Sequence, residues 1–477
     1  MGGRSLKPHY DAIVIGCGMA GLAAGIRMAM FDRTVLVVES HNAPGGLNSF
    51  YALEGRKYDV GLHAVTNYVP PGAKGTPLIK LLRQLRLRRE DLDLCPQRGS
   101  RVAFPGVDLH FDNGFASLGE SVASAFPEEI DGFRALRAHV AACDPFDASA
   151  PVLSAREVMG RFLRSPLLTD MLLCPVLYYG SARENDIDFD QFVILWRSLF
   201  EEGFARPHEG VRVIIRALLK RFREVGGERK MKCGVRRLHS EGARVTAVEL
   251  EDGTTVTADA VLSTAGALET EALCAAPDPA ARSPAPESGR RLSFVETITV
   301  LDAPPADLGA EETIIFFNDS ERFHYERPEA LVDPRSGVIC FPNNYDYGDR
   351  SLDEGFFRVT ALADYDRWAA LGSDAYRAEK EAWYPRLQES ALRFVPGLGM
   401  DTVRAHTRAI DMFTPCTVKR FTRHIEGAVY GSPRKHRDGT TRFDNLFLAG
   451  TDQGFLGITG AMLSGISMAN RHVLSRG

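Results

Sequence analysis

Six residues near the start of this 477-residue chain, Gly16-Cys17-Gly18-Met19-Ala20-Gly21, have the types and spacing to hold a phosphate. They form G-x-G-x-x-G between an apolar run at 11–15 and a small-residue stretch at 22–30 that includes Ala23, Ala24 and Gly25. Each glycine has its own task. Gly16 permits a tight turn, Gly18 lets a pyrophosphate approach the backbone, and Gly21 lets the following helix pack closely on the strand. The free N–H groups at Met19, Ala20 and Gly21 would face the phosphate charge at a helix start. A second strand at 34–38 ends in Glu39, eighteen residues after the last glycine. An acid at that place accepts hydrogen bonds from ribose hydroxyls and disfavours a 2′-phosphate. Strand, turn, helix, strand and acid all occur in the order that a Rossmann dinucleotide site requires.

Further glycine-rich pieces extend this pattern. Pro44-Gly45-Gly46-Leu47-Asn48 lies just beyond Glu39, and Tyr58-Asp59-Val60-Gly61-Leu62-His63 follows. Far along the chain, an apolar strand at 444–448 runs into Gly450, Asp452, Gly454, Phe455, Gly457, Ile458, Thr459 and Gly460, which lead into a last helix ending near Leu474. A second helix start of this kind suits the negative charge that a reduced flavin carries. The stretch 413–431 holds a Thr414-Pro415 turn and Gly427-Ala428-Val429-Tyr430-Gly431.

On these residues the chain resembles the amine oxidase and phytoene desaturase superfamily, and within it the phytoene desaturase, carotenoid isomerase and retinol saturase family. The matching residues are Gly16, Gly18, Gly21, Glu39, Gly45, Gly46, Asp59, Gly61, Gly450, Asp452, Gly457 and Gly460. The match covers both ends of the chain and the 210–266 block, and it is weak between about Gly72 and Pro207. Two departures stand out: Leu47-Asn48 follow the glycine pair where the classical members have Arg, and Ile458-Thr459 stand where classical desaturases favour prolines. Both lean toward the saturase and isomerase branch.

The resemblance implies FAD as cofactor, held by residues 16–21, Glu39, 45–48, 61–63, Val235 (through backbone contacts to adenine), Gly450, Asp452 (to the ribityl chain) and 457–459. It also implies an apolar isoprenoid or polyene substrate. The residues expected near the flavin are His63, Tyr178, Tyr179, His324, Thr414 and Phe455, with His63 the candidate proton donor or acceptor.

The elements that must position these groups can be read from periodicity and turn signals. The 77–89 segment has apolar residues at 78, 81, 82 and 85 opposite a basic face, a helix that either packs as a solvated helix or lies on an anionic membrane. The 156–202 segment reads as mainly helical and rich in aromatic residues, suited to a core or to an apolar tunnel. A helix at 210–225 precedes a strand through Met231 and Val235. A hairpin at 244–257 turns at Asp252-Gly253, and a buried strand follows at 258–264. The Pro- and Ala-rich stretch 275–290 reads as a linker. Strands at 294–301, 312–317, 337–342 and 356–363 and a helix at 374–394 make a substrate domain. The expected fold class is therefore α/β. A discontinuous Rossmann-type FAD-binding domain (1–75, 210–275, 431–477) surrounds a mainly helical region (76–209) and an α+β substrate domain (276–430).

Composition bounds the function. Hydrophobic residues make up 44% and charged residues 25%, with a net charge of −5, so a global attraction to nucleic acid is not indicated. Eight dispersed cysteines, with no C-x-x-C pair, give no metal site or disulfide framework and suit a reducing cytoplasm. No secretory signal is read; Met1-Gly2 lacks the Ser or Thr that myristoylation wants, because Leu6 stands there. No uninterrupted apolar window is long enough to span a bilayer, so any membrane contact is expected to be peripheral, on the inner face. The absence of a second nucleotide motif argues against an NADPH domain. The leading expectation is an FAD-dependent desaturase, saturase or isomerase of an isoprenoid. An amine or amino-acid oxidase and a non-catalytic FAD-binding escort stay open beside it.

Overall fold

The computed structural model describes residues 6–61, 63–147, 150–274 and 291–476; the Met1-Gly2 pair, Leu62 and the 275–290 linker lie outside the described residues. One sheet has a parallel part in the order Glu228–Lys230, Val35–Val38, His9–Ile15, Thr255–Ser263, Leu446–Leu448. Ala12, Ile13 and Val14 of its central strand are wholly buried, because the helices Met19–Ala29 and Arg212–Glu224 cover one face of the sheet and the strands Val235–Glu241 and Arg244–Leu250 cover the other. That is why the strand reads as an unbroken apolar run.

The 254–264 stretch corrects the sequence reading. It is one strand, Thr255–Ser263, rather than a hairpin arm at 254–257 followed by a separate strand at 258–264. Its first half pairs antiparallel with Arg244–Leu250 (Val248 opposite Val256), and it also runs parallel to His9–Ile15. The chain changes partner without a break, so the hairpin and the dinucleotide sheet are continuous.

A second sheet runs Thr407–Phe413, Ser293–Leu301, Gly355–Ala363, Ser336–Cys340, Ile314–Asn318, Ser100–Phe104, Val107–Phe111. Its last two strands come from the region expected to be mainly helical. They turn at Pro105-Gly106, and Ser100–Phe104 lies parallel to Ile314–Asn318, far away in sequence. The expected helices of that region are present, chiefly Pro166–Gly180 and Phe189–Trp196. A small third sheet joins Val65–Thr66, Phe204–Pro207 and Leu94–Pro96.

The amphipathic helix is Pro77–Leu85, and Leu78, Leu81, Leu82 and Leu85 are all buried in the core beneath the first sheet. Burial of each leucine contributes about 1.5–3 kcal/mol. This apolar face is committed to the fold, which corrects the expectation that it could lie on a membrane. No helix among the described residues is long and apolar enough to cross one.

The first helix, Met19–Ala29, packs against the C-terminal helix, Gly457–His472. A Cβ at Gly465 would stand 2.0 Å from the Ala20 carbonyl oxygen, so only glycine allows this approach.

Candidate active site

Three glycine-rich segments converge at the end of the first sheet. Gly16 has φ 101°, in the left-handed region, and its N–H donates to the Val38 carbonyl (2.8 Å). The second segment lies on the first: the Gly45 N–H donates to the Cys17 carbonyl (2.9 Å), and residues 46–48 make one tight turn. The third arrives through Leu446–Leu448, with the Gly450 N–H held by Ser464 Oγ (2.7 Å). Ile458 is buried in the core, and Thr459 Oγ1 donates to the Thr66 carbonyl (3.3 Å).

The helices that begin at Met19 and Gly457 have no side-chain cap. A Cβ at Gly18 would come no nearer than 3.8 Å to another atom, one at Gly46 no nearer than 3.6 Å, and one at Gly457 would meet nothing within 4 Å. Two helix N-termini therefore open on space left by absent side chains, the one at Met19 suited to a pyrophosphate and the one at Gly457 to the charge of a reduced flavin. Glu39 takes N–H donors from Cys17 and His41 (each 2.8 Å), which leaves lone pairs for ribose hydroxyls. The Cys233 N–H donates to the Glu39 carbonyl (2.9 Å), bringing Val235, at the start of Val235–Glu241, to the same edge. These residues fit a dinucleotide cofactor.

Asp452 is the residue expected at the ribityl chain. It is buried, its two oxygens accept the Ala267 and Ser432 N–H groups (each 2.6 Å), and Lys435 Nζ lies 3.9 Å away. It ties three loops together. Burial pulls the Lys435 ammonium down to about 8, only partly offset by Asp452.

His63 sits between two of the glycine segments. A Cβ at Gly61 would stand 2.6 Å from the Leu47 carbonyl oxygen, and Thr66 meets Thr459, so the intervening residues bridge the 45–48 turn and the C-terminal helix. Its carbonyl accepts from Tyr345 OH (2.8 Å). Its Nε2 faces Thr360 Oγ1 (3.1 Å) and Glu296 Oε1 (3.4 Å). Glu296 and Thr360 are directly opposed on neighbouring strands of the second sheet. Arg358 donates to Glu296 through Nε (2.5 Å) and to the Asp59 carbonyl through Nη2 (3.1 Å), and Arg206 pairs with Asp59 (2.5 Å). Burial pushes the Glu296 carboxyl up, but Arg358 and His63 outweigh it and hold it at about 2. A cavity of about 180 Å³ adjoins this cluster; its walls include Asp59, Arg206, His208, Arg212 and Arg358, a charged lining unsuited to an apolar molecule.

A buried aromatic cluster lies elsewhere. Tyr179 stacks on Phe204 (ring centroids 5.1 Å apart) and tilts against Phe316 (5.8 Å). Phe204 pairs with Thr66, just beyond His63, so Tyr179 and His63 converge. The Tyr179 hydroxyl is buried without a hydrogen-bond partner, and burial pushes its pKa well above the ordinary value, so it remains a neutral donor. The next residue, Gly180, abuts Leu456 at the start of the C-terminal helix: a Cβ there would stand 2.8 Å from Leu456 Cδ1.

The other expected residues do not join this group. Tyr178 OH is hydrogen-bonded to Ser336 Oγ (2.9 Å) inside the core. His324 is partly exposed and pairs with Glu326 (3.2 Å). Thr414 is fully buried, caps Pro415–Thr422 and is hydrogen-bonded to Tyr376 OH (2.6 Å). Phe455 packs against the exposed Phe146 (5.6 Å). Each has a structural partner that sequence spacing does not reveal. Leu62 lies outside the described residues. Conversely, Glu296, Arg358 and Thr360 were passed over. The available signal was a glutamate within the apolar run Phe294-Val295-Glu296-Thr297-Ile298 and an arginine in the neighbouring strand.

The model of a family described as flavin containing amine oxidoreductase matches residues 19–352. A chloroplastic prolycopene isomerase of Arabidopsis thaliana is 23% identical, over 98% of this chain and 83% of its own length. A lycopene-forming phytoene desaturase of a Paracoccus species is 27% identical, over 53% of this chain and 54% of its own. An oxidoreductase of solved structure from Methanosarcina mazei shares the fold, with a TM-score of 0.65 at 15% identity, covering 96% of this chain and 99% of its own.

Proposed function

Because the chain belongs to the flavin-containing amine oxidoreductase family and is an FAD-dependent oxidoreductase, we propose that it acts on carbon–carbon bonds of an apolar isoprenoid or polyene, by desaturation, saturation or cis–trans isomerisation. Family membership also removes the non-catalytic escort from the alternatives. The observation that carries the reading is the match to a prolycopene isomerase over nearly the whole chain; the buried aromatic cluster of Tyr179, Phe204 and Phe316, of which Phe204 pairs with Thr66 close to His63 in the chain, supports it.

Bound FAD supplies the hydride acceptor or donor. The chain supplies what surrounds that step. His63 gives or takes the accompanying proton, Tyr179 and its neighbours exclude water from an apolar chain, the helix start at Met19 holds the pyrophosphate, and the one at Gly457 offsets the charge of reduced flavin. In desaturation His63 would take the proton from the carbon next to the one that loses hydride, as the C=C bond forms between the two carbons. Saturation runs these transfers in reverse.

The test is anaerobic. The FAD-loaded protein is mixed with liposomes that carry a panel of isoprenoids, the flavin absorbance is followed, and products are weighed. Bleaching with a product two hydrogens lighter identifies desaturation. Turnover only after chemical reduction identifies saturation or isomerisation, which product mass separates. Bleaching by amines and by no isoprenoid would overturn the proposal in favour of an amine oxidase.

A further inference from the structure

We propose that Glu296 is a positioning residue for His63: it accepts the Nε2–H of the imidazole and so fixes the tautomer whose basic nitrogen is Nδ1. The inference rests, for its catalytic meaning, on the reading of His63 as the proton carrier; the tautomer itself does not.

The geometry leaves the imidazole one arrangement. Nε2 faces an oxygen of Glu296 at 3.4 Å and the hydroxyl of Thr360 at 3.1 Å. An ionised carboxylate has only acceptor sites, whereas a threonine hydroxyl accepts or donates. The carboxylate therefore decides which nitrogen bears hydrogen, and Thr360 shares it. Glu296 is kept ionised by Arg358, which is itself anchored on the Asp59 carbonyl. Glu296 is buried, and Arg358 and His63 hold its carboxyl at about 2. Register makes the clamp rigid. Glu296 and Thr360 are cross-strand partners, and Arg358 is opposite Ile298, two positions along the same strand and on the same side of the sheet. Only His63 is on a loop, and its carbonyl is pinned by Tyr345 OH. Among the described residues Nδ1 has no hydrogen-bond partner, so its lone pair is available.

A histidine with both nitrogens unassigned would spend part of its population in the tautomer that presents a hydrogen where a base is needed. The orientation of an imidazole by a buried carboxylate removes that population. The carboxylate itself does not move a proton.

The experiment reads the tautomer directly. The FAD-loaded protein is labelled with ¹⁵N in its histidine rings, and the signals of His63 are identified by their loss in His63→Gln. The expected result is a protonated Nε2 and a bare Nδ1 in the wild type at a pH where the ring is neutral. In Glu296→Gln the side-chain amide offers either a donor or an acceptor, so the preference falls to a mixture; in Thr360→Val it is retained. A proton on Nδ1 in the wild type, or an unchanged preference in Glu296→Gln, overturns the proposal. If Glu296→Gln does not fold because Arg358 is left uncompensated, Glu296→Gln with Arg358→Met removes both charges and gives the same readout. Failure of every isoprenoid to react, with the expected tautomer present, counts against the substrate reading alone.

Discussion

His63 and Glu296 touch through 3.4 Å, yet their roles separate cleanly when each is changed. His63→Gln leaves the three glycine segments unchanged, so the protein should still load FAD, and rates are taken per bound flavin. The rate of flavin reduction by an accepted isoprenoid should fall by about 10²–10⁴-fold, the usual contribution of a positioned acid or base. Stopped-flow absorbance checks the rate, and release of FAD by heat checks the content. Glu296 also links the site to acid stability. Its folded pKa, about 2, lies below the ordinary glutamate value. A depressed carboxylate contributes stability that is complete above the unfolded pKa, about 4.3, and that disappears as pH falls toward 2. Melting temperatures from pH 6 to 3 should therefore fall more steeply for the wild type than for the Glu296→Gln, Arg358→Met double variant, and parallel curves would remove Glu296 from the acid-labile groups. Sequence alone exposed His63, because it follows Asp59-Val60-Gly61. It did not expose Glu296 or Thr360, since cross-strand register depends on a sheet that no local pattern specifies.

At the level of elements, the same contrast holds. The helices and the first two strands were legible because glycine spacing and apolar periodicity are local. The helix starting at Met19 begins three residues before the expected start, since the glycine loop itself supplies its first turn. The hairpin Ser100–Phe104 and Val107–Phe111 escaped notice although Pro105-Gly106 marks its turn, because its main partner, Ile314–Asn318, is remote in sequence. Thr407–Phe413 escaped for a different reason: it is an edge strand whose charged Arg408 and Asp411 mask the alternation. Contact between the first and last helices gives the element-scale prediction. A Cβ at Gly465 would press on the Ala20 carbonyl at 2.0 Å, and backbone cannot swing aside. Gly465→Ala should cost about 1–3 kcal/mol and lower FAD retention, because the two helix starts at the cofactor move with their helices. Thermal melts and FAD content after gel filtration measure both; an unchanged melt with full FAD would mean that the helices separate without loss.

For the whole molecule, the interleaving of strands has a consequence for biosynthesis. The loop at 16–21 leaves the ribosome early, together with the strands His9–Ile15 and Val35–Val38. Their neighbours Glu228–Lys230 and Thr255–Ser263 follow much later, and Leu446–Leu448 and the helix Gly457–His472 later still. Until that helix emerges, Ala20 and Ala24 have no cover, and Thr255–Ser263 lacks its last neighbour. A nascent chain can thus present a phosphate loop but cannot close around the nucleotide. Flavin capture therefore follows the synthesis of the helix Gly457–His472.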